Sequence, residues 1–301
     1  MNRFFIWILL AGLMPALVYS QTPTFRVATD LVLTPVFVAD AGGIPVRNLK
    51  PEDFEIEENG ISVEAARLGK PGEAPLELGL LFDTSGSMIS WFDLQRHAAI
   101  RFLKRIMRPI DSVFLLSVSN TPIIIQDRTS SLEVAVQAVN NVPSTSQATA
   151  FYNSIAKAAR MLQEQAMPEA RRVMIAFSDG EDNRSLEYEL KDSLLDLQAA
   201  NCLFYSINPK GRTYKLGFLG RHAQENMEVL ANQTGGKAFV FSEEKELTEF
   251  YDRIADELQN QYLLGYHSPA TTGANIYRRI VIKVRGRPEL QVKARPGYFP
   301  G

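Results

Sequence analysis

The chain has 301 residues, 46% hydrophobic and 22% charged, with a formal net charge of −2. That composition suits a globular protein with room for one large domain and a small one. It gives no electrostatic reason to expect nucleic acid, since basic residues are scattered among acids and form no patch for a polyanion.

The first twenty residues open with Arg3, run through Phe4-Phe5-Ile6-Trp7-Ile8-Leu9-Leu10-Ala11-Gly12-Leu13-Met14, and close with Val18-Tyr19-Ser20. A positive start, a short apolar middle and small or aliphatic residues before a cut describe an export signal, 1–20, cleaved after Ser20. An uncleaved anchor is the alternative, with an apolar length on the short side for a span. No cysteine follows the apolar run, so lipid attachment there is excluded. The expected mature chain begins near Gln21, has no membrane span, and resides in the periplasm, the cell envelope or the medium. Cys202 is the single cysteine, so no intramolecular disulfide can form and the core must hold the fold. It lies in an apolar run, 202–207, where a thiol reads as a small core residue.

After the signal, 25–38 carries β-branched and aromatic residues in partial alternation, and Asp40-Ala41-Gly42-Gly43 supplies a turn. Residues 54–58 alternate, and Asn59-Gly60 before Ile61-Ser62-Val63 signals a hairpin. Residues 21–70 therefore read as part of a small all-β unit, and 68–75, with two glycines and two prolines, as a linker.

From Leu76 strands alternate with helices. Buried strands are expected at 76–83, 113–118, 173–177 and 202–207, with shorter ones at 123–125 (antiparallel at the edge) and 238–240. Helices are expected at 92–107, 132–139, 151–165, 186–200, 221–233 and 243–259. Such alternation implies an α/β fold, a doubly wound and mostly parallel sheet flanked by helices, over 76–260. Beyond it, 261–266, 277–284 and 290–294 read as strands. The economical picture is one β unit built from both chain ends, 21–70 and 261–301, with the α/β domain inserted between them.

The first buried strand ends in Asp83-Thr84-Ser85-Gly86-Ser87, an acid and two hydroxyls at alternate positions. Ligands bind at the carboxyl ends of strands in open parallel sheets, and oxygen donors of this kind suit a hard divalent cation. Thr149 lies in a polar loop leading into a helix, and Asp179 follows the third buried strand as Asp83 ends the first. All five side chains can therefore meet at one sheet edge.

These three segments, Asp83-Thr84-Ser85-Gly86-Ser87, Thr149 and Ser178-Asp179-Gly180, resemble the metal-ion-dependent adhesion site of von Willebrand factor A-type domains. The resemblance covers about 76–259, and the β flanks are similar to those of exported bacterial members, particularly the VWFA-related Acidobacterial domain family. It implies a Rossmann-like fold and direct or near-direct coordination by Ser85, Ser87 and Thr149, with Asp83 and Asp179 acting partly through water. The implied cofactor is a divalent cation, Mg²⁺ with Mn²⁺ or Ca²⁺ as alternatives. Neutral hydroxyls leave such an ion electrophilic, and the implied partner is a protein that completes its coordination with Asp or Glu. Gln147-Ala148 stands where many members carry small glycines before the threonine, so Gln147 can reshape the rim.

Two rival readings stand beside this non-enzymatic one. The acid at the strand end also resembles a Mg²⁺-dependent phosphatase of haloacid-dehalogenase type, but such enzymes carry a second acid two residues on, where this chain has Ser85. The other rival is a structural envelope scaffold in which the ion only stiffens loops. His97, His222 and His267 lack metal-ligand spacing, and Ser85 and Ser87 lack a nucleophile elbow. Trp91 and Phe92 read as packing residues or an apolar rim.

Overall fold

The computed structural model describes residues 31–145, 147–165, 167, 169–210, 217–241, 243–270 and 276–300. The expected export segment 1–20 and its cut after Ser20 lie outside them. Among the described residues no helix is long and apolar enough to cross a membrane.

Strand β1 (Leu31–Ala39) buries Val32, Thr34, Val36 and Val38, the two-residue period of a strand with one face on a core. A short 3-10 turn at Pro51–Asp53 leads into β2 (Phe54–Glu58), which alternates likewise. Asn59 and Gly60 then take φ of 51° and 82°, the left-handed pair that a tight hairpin requires, and return the chain as β3 (Ile61–Val63). Strand β4 (Ala65–Gly69) overlaps the expected linker at 68–75 and corrects it. Leu68 and Gly69 are held in extended form by a strand almost two hundred residues away, which no local signal records.

All eight residues of β5 (Leu76–Asp83) are buried, as a central strand covered on both faces demands. The elements that follow are α1 (Phe92–Ile106), β6 (Ser112–Val118), β7 (Ile123–Thr129), α2 (Leu132–Asn140), α3 (Phe151–Gln165), β8 (Arg171–Phe177), α4 (Leu190–Ala199), β9 (Cys202–Asn208), α5 (Phe218–Thr234), β10 (Lys237–Val240) and α6 (Glu244–Gln259). The sheet runs β10-β9-β8-β5-β6-β7, parallel throughout except for β7 at one edge. Helices α1, α2 and α6 cover one face and α3, α4 and α5 the other. This is the expected doubly wound, mostly parallel α/β fold. Trp91 meets Phe241 edge-on at 5.5 Å and Phe92 is buried, so both pack into the core.

Three boundaries differ from expectation by three residues or more, one of them the start of α5 at Phe218 instead of 221. Strand β7 extends four residues past 125 because β6 supplies ladder partners as far as Thr129. Helix α4 begins at Leu190 instead of 186, and Leu186 is left 89% exposed on the preceding loop.

Helix α5 stops at Gly235, whose φ of 84° is the left-handed cap typical of glycine. Its neighbour Gly236 lies against β9 so closely that a Cβ would sit 1.7 Å from the Phe204 carbonyl oxygen. Since the obstacle is backbone of a buried strand, Gly236→Ala should cost about 1–3 kcal/mol or more in urea unfolding. An unchanged midpoint would contradict this packing.

At the opposite end of β5, buried Glu77 accepts from Arg128 Nη2 at 2.5 Å, from Arg128 Nε at 3.0 Å and from the Ser112 hydroxyl. Burial raises this carboxyl, but the bonds outweigh it and hold the group below its usual range. A folded pKa below the unfolded one means the contribution is full above about 4.5 and is lost as pH falls through the folded value. Glu77→Gln should therefore flatten the acid limb of the stability–pH curve below the ordinary carboxylate range. Parallel acid limbs for the two proteins would refute this.

Strands β11 (Tyr262–His267), β12 (Arg278–Val284), β13 (Gln291–Lys293) and β14 (Gly297–Tyr298) complete two antiparallel sheets, β13-β1-β11-β4 and β14-β12-β2-β3. Each interleaves strands from the two chain ends around one shared core containing Val36, Ile56, Tyr262, Leu264 and Tyr266. Helix α6 enters β11 after only two intervening residues.

Candidate metal centre

Strand β5 lies between β6 and β8, and Phe82 is in register with Phe177. The chain leaves β5 toward β6 and leaves β8 toward β9, in opposite directions across the sheet. The two loops diverge and open a crevice at the carboxyl edge, the usual place for a ligand in an open α/β sheet. Asp83 is the last residue of β5, and Asp179 lies two residues beyond β8. Both acids therefore leave the sheet side by side.

The first and third loops are joined by side-chain hydrogen bonds. Asp83 Oδ1 accepts from the Ser85 backbone N–H at 2.9 Å, and Asp83 Oδ2 accepts from Ser178 Oγ at 2.5 Å. Ser87 Oγ donates to Asp179 Oδ2 at 2.7 Å and lies 3.1 Å from Ser85 Oγ. Asp83 is fully buried and Asp179 is 1% exposed, while Ser87 reaches solvent. The acids thus form the floor and a hydroxyl stands at the mouth. Burial first, and the charge of Asp179 second, push Asp83 up to about 6. Gly180, at φ 72°, lets the third loop turn down onto α5, where a Cβ would lie 2.8 Å from Met227.

The second loop is tied to both others. Thr145 donates to the Thr84 carbonyl through its N–H at 3.0 Å and its hydroxyl at 2.9 Å. The buried Thr149 donates its N–H to Asn183 Oδ1 at 3.0 Å, and its carbonyl accepts from the N–H groups of Asn183 and Arg184 at 3.1 Å. Asp182 and Ser185 accept from the first N–H groups of α3, capping that helix from the third loop. Asp83, Ser85, Ser87 and Asp179 are therefore brought into one bonded chain. Thr149 is fixed beside the third loop through its backbone, and the bonds described among these residues do not include its hydroxyl. Gln147 is exposed two residues before it.

Sequence reasoning placed Ser178 in the third segment without a role of its own, and gave none to Asn183 or Lys210. Lys210 Nζ lies 2.5 Å from Asp179 Oδ2 and 3.3 Å from Glu181 Oε1. Burial lowers this ammonium's pKa, but its bonds to Asp179 and Glu181 more than restore it. The available signal was positional: Lys210 follows β9, and every residue just past a parallel strand lies on the edge that carries the site.

The donor set is all oxygen, two carboxylates and at least two hydroxyls, which fits a hard divalent cation. Among the described residues no group of three or more His, Cys, Asp or Glu side chains is placed to hold a metal, so hydroxyls must share the task. Burial first, and the charge of Asp179 second, disfavour the ionised form of Asp83, and a divalent cation at this edge would favour it. Elsewhere, Cys202 is buried in β9, and burial drives its thiol far up, away from nucleophilic chemistry. His97 Nδ1 meets the carbonyl of Asp93 within its own helix at 2.8 Å.

Residues 78–181 match the family model described as the von Willebrand factor type A domain. No curated protein matches the chain. Among solved structures, a von Willebrand factor type A protein from Catenulispora acidiphila has a TM-score of 0.52 at 10% identity, covering 90% of this chain and 74% of that one. The pilus adhesin SpaC from Lactobacillus rhamnosus GG gives 0.50 at 10% identity, covering 84% and 48%. Proximal thread matrix protein 1 from the mussel byssus gives 0.50 at 12% identity, covering 63% and 49%. At these identities the likeness concerns the fold alone. With its sheet order, its three edge loops and the match over 78–181, the chain carries a von Willebrand factor type A domain.

Proposed function

We propose that this domain holds a divalent cation, Mg²⁺ or otherwise Mn²⁺ or Ca²⁺, at Asp83, Ser85, Ser87, Thr149 and Asp179, and uses it to capture an acidic side chain of another protein. The observation that carries this reading is the bonded convergence of Ser85, Ser87 and Asp179 over buried Asp83. When bound, the ion supplies the positive charge that attracts an incoming carboxylate. The chain's own part is to set the oxygens: Ser178 and the Ser85 N–H orient Asp83, and Asn183 ties the Thr149 loop to the third. Ile89, Leu186, Phe218 and Leu219, between 50% and 89% exposed, lie on loops or a helix start that leave this same edge. Exposed apolar side chains on the segments that leave the edge of a charged centre suit a protein surface better than a small solute.

The reading places the protein outside the cytoplasm and assigns it no catalysis. Captured with Mg²⁺, with EDTA and as Asp83→Ala, the mature protein should recover an acidic partner from envelope extract only in the first case. Identical recoveries in all three would remove the adhesion reading. A metal-induced rise in melting temperature with no acid-dependent binding would favour the scaffold, and phosphate-ester turnover lost in Asp83→Asn would favour the phosphatase. Ligand capture is further proposed to reach the β unit through α6, since Glu257 near its end holds Lys293 of β13 at 2.8 Å and Asn260 holds Arg47 at 3.0 Å. Equal hydrogen exchange in β11 and β13 with and without ligand would count against that coupling.

A further inference from the structure

Lys210 lies two residues past β9, next to β8 in the sheet, and its side chain reaches across the edge to the third loop. Its Nζ contacts Asp179 Oδ2, the same oxygen that accepts the Ser87 hydroxyl. The start of this reach is fixed: the Lys210 N–H donates to Asn208 Oδ1 at 3.0 Å, and the Asn208 amide donates to buried Gln224 at 3.0 Å. Asp179 itself is withdrawn from water, and the lysine side chain is only 26% exposed. A positive charge is thus already lodged at an oxygen that the proposed metal centre needs.

We infer that Lys210 is a built-in counter-ion of this centre, neutralising Asp179 in the metal-free protein and yielding that oxygen when a divalent cation binds. The inference rests on the metal-binding reading above. An ammonium and a divalent ion repel strongly when both touch one oxygen in a partly buried site, so they exclude each other. Glu181 Oε1, already 3.3 Å from Nζ, gives the displaced ammonium a second carboxylate without a return to bulk water. Two consequences follow from the charges. Divalent affinity is weakened because binding must first break the Lys210–Asp179 pair. In the metal-free domain, in turn, the pair gives buried Asp179 a positive partner and ties the third loop to the segment after β9, while Asp179 also accepts the Ser87 hydroxyl of the first loop.

The test is calorimetric titration of the purified protein with Mg²⁺ and with Mn²⁺, wild type against Lys210→Met, which keeps the stem and removes the charge. The variant should bind at least about tenfold more tightly. In EDTA it should melt at a lower temperature than wild type, and saturating Mn²⁺ should restore it. Equal affinities in the two proteins would overturn the role of Lys210 and leave the metal centre standing. Binding in neither would overturn the metal centre and the inference with it. Should Lys210→Met fail to fold, the side-chain ¹⁵N resonance of Lys210 in wild type serves instead, assigned with Lys210→Arg. It should move as Mg²⁺ saturates; a fixed resonance while the Ser85 and Ser87 amides shift would refute the exchange.

Discussion

Replacing Glu58 by alanine should lower the stability of the folded chain by about 3–5 kcal/mol, the usual consequence of stranding a buried charge. Glu58 closes β2 and is 1% exposed. Its Oε2 accepts from the hydroxyls of Tyr266 at 2.8 Å and Tyr298 at 3.1 Å, and its Oε1 accepts from Ser268 at 2.6 Å. Arg278, 4% exposed, lies 3.8 Å away and donates to Ser268 at 2.7 Å. The partners come from β11, the loop after it, β12 and β14, so this knot fastens the N-terminal strands to the C-terminal ones. Alanine would leave a buried guanidinium without its counter-charge and three hydroxyls without their acceptor. Glu58→Gln keeps the shape and one acceptor oxygen and should fall between the two. Urea unfolding of the three proteins decides the matter; a loss below about 1 kcal/mol for alanine would mean that water reaches the knot.

Asp83→Asn should weaken divalent binding by about 100-fold or more, at the upper end of what groups supporting a metal's ligands contribute. The change keeps the side chain's shape and its bond from the Ser85 N–H while removing the charge under the site. Stability in EDTA should change little, because burial and the neighbouring Asp179 already disfavour a full charge at this position. The two measurements separate the role of Asp83 toward metal from its role in packing. At a metal concentration about 100 times the wild-type dissociation constant, wild type should gain about 2.7 kcal/mol, and the variant about 0.4 kcal/mol or less. A variant that gains as much as wild type would show that Asp83 does not serve the ion.

The elements that were legible in advance are those whose cause is local. The unbroken apolar run of β5 announces a strand buried on both faces, and the helix α3 appears at 151–165 as its pattern predicts. Asn59-Gly60 tolerates positive φ at both positions, so that hairpin follows from two residues. The linker expected at 68–75 failed in part because glycine and proline content describes what a segment tolerates, whereas β11 decides what β4 does. Likewise Leu186 has helix-compatible neighbours, yet the backbone is still extended at Glu189, whose N–H donates to Asp192 Oδ2 at 2.9 Å, and the helix begins at Leu190.

The amino-acid order by itself determined the alternation of strands and helices, the turn chemistry, and the appearance of an acid at the end of two apolar strands. Each of these depends on residues a few positions apart, whose spacing dictates which face they share. Tertiary structure alone decided that β5 and β8 are neighbours, that Ser178 and Asn183 tie the loops, and that Lys210 stands against Asp179. It also decided that Glu58 meets partners more than two hundred residues away. Such contacts depend on strand order and on which buried charges find partners, and a chain read in one dimension carries no mark of either.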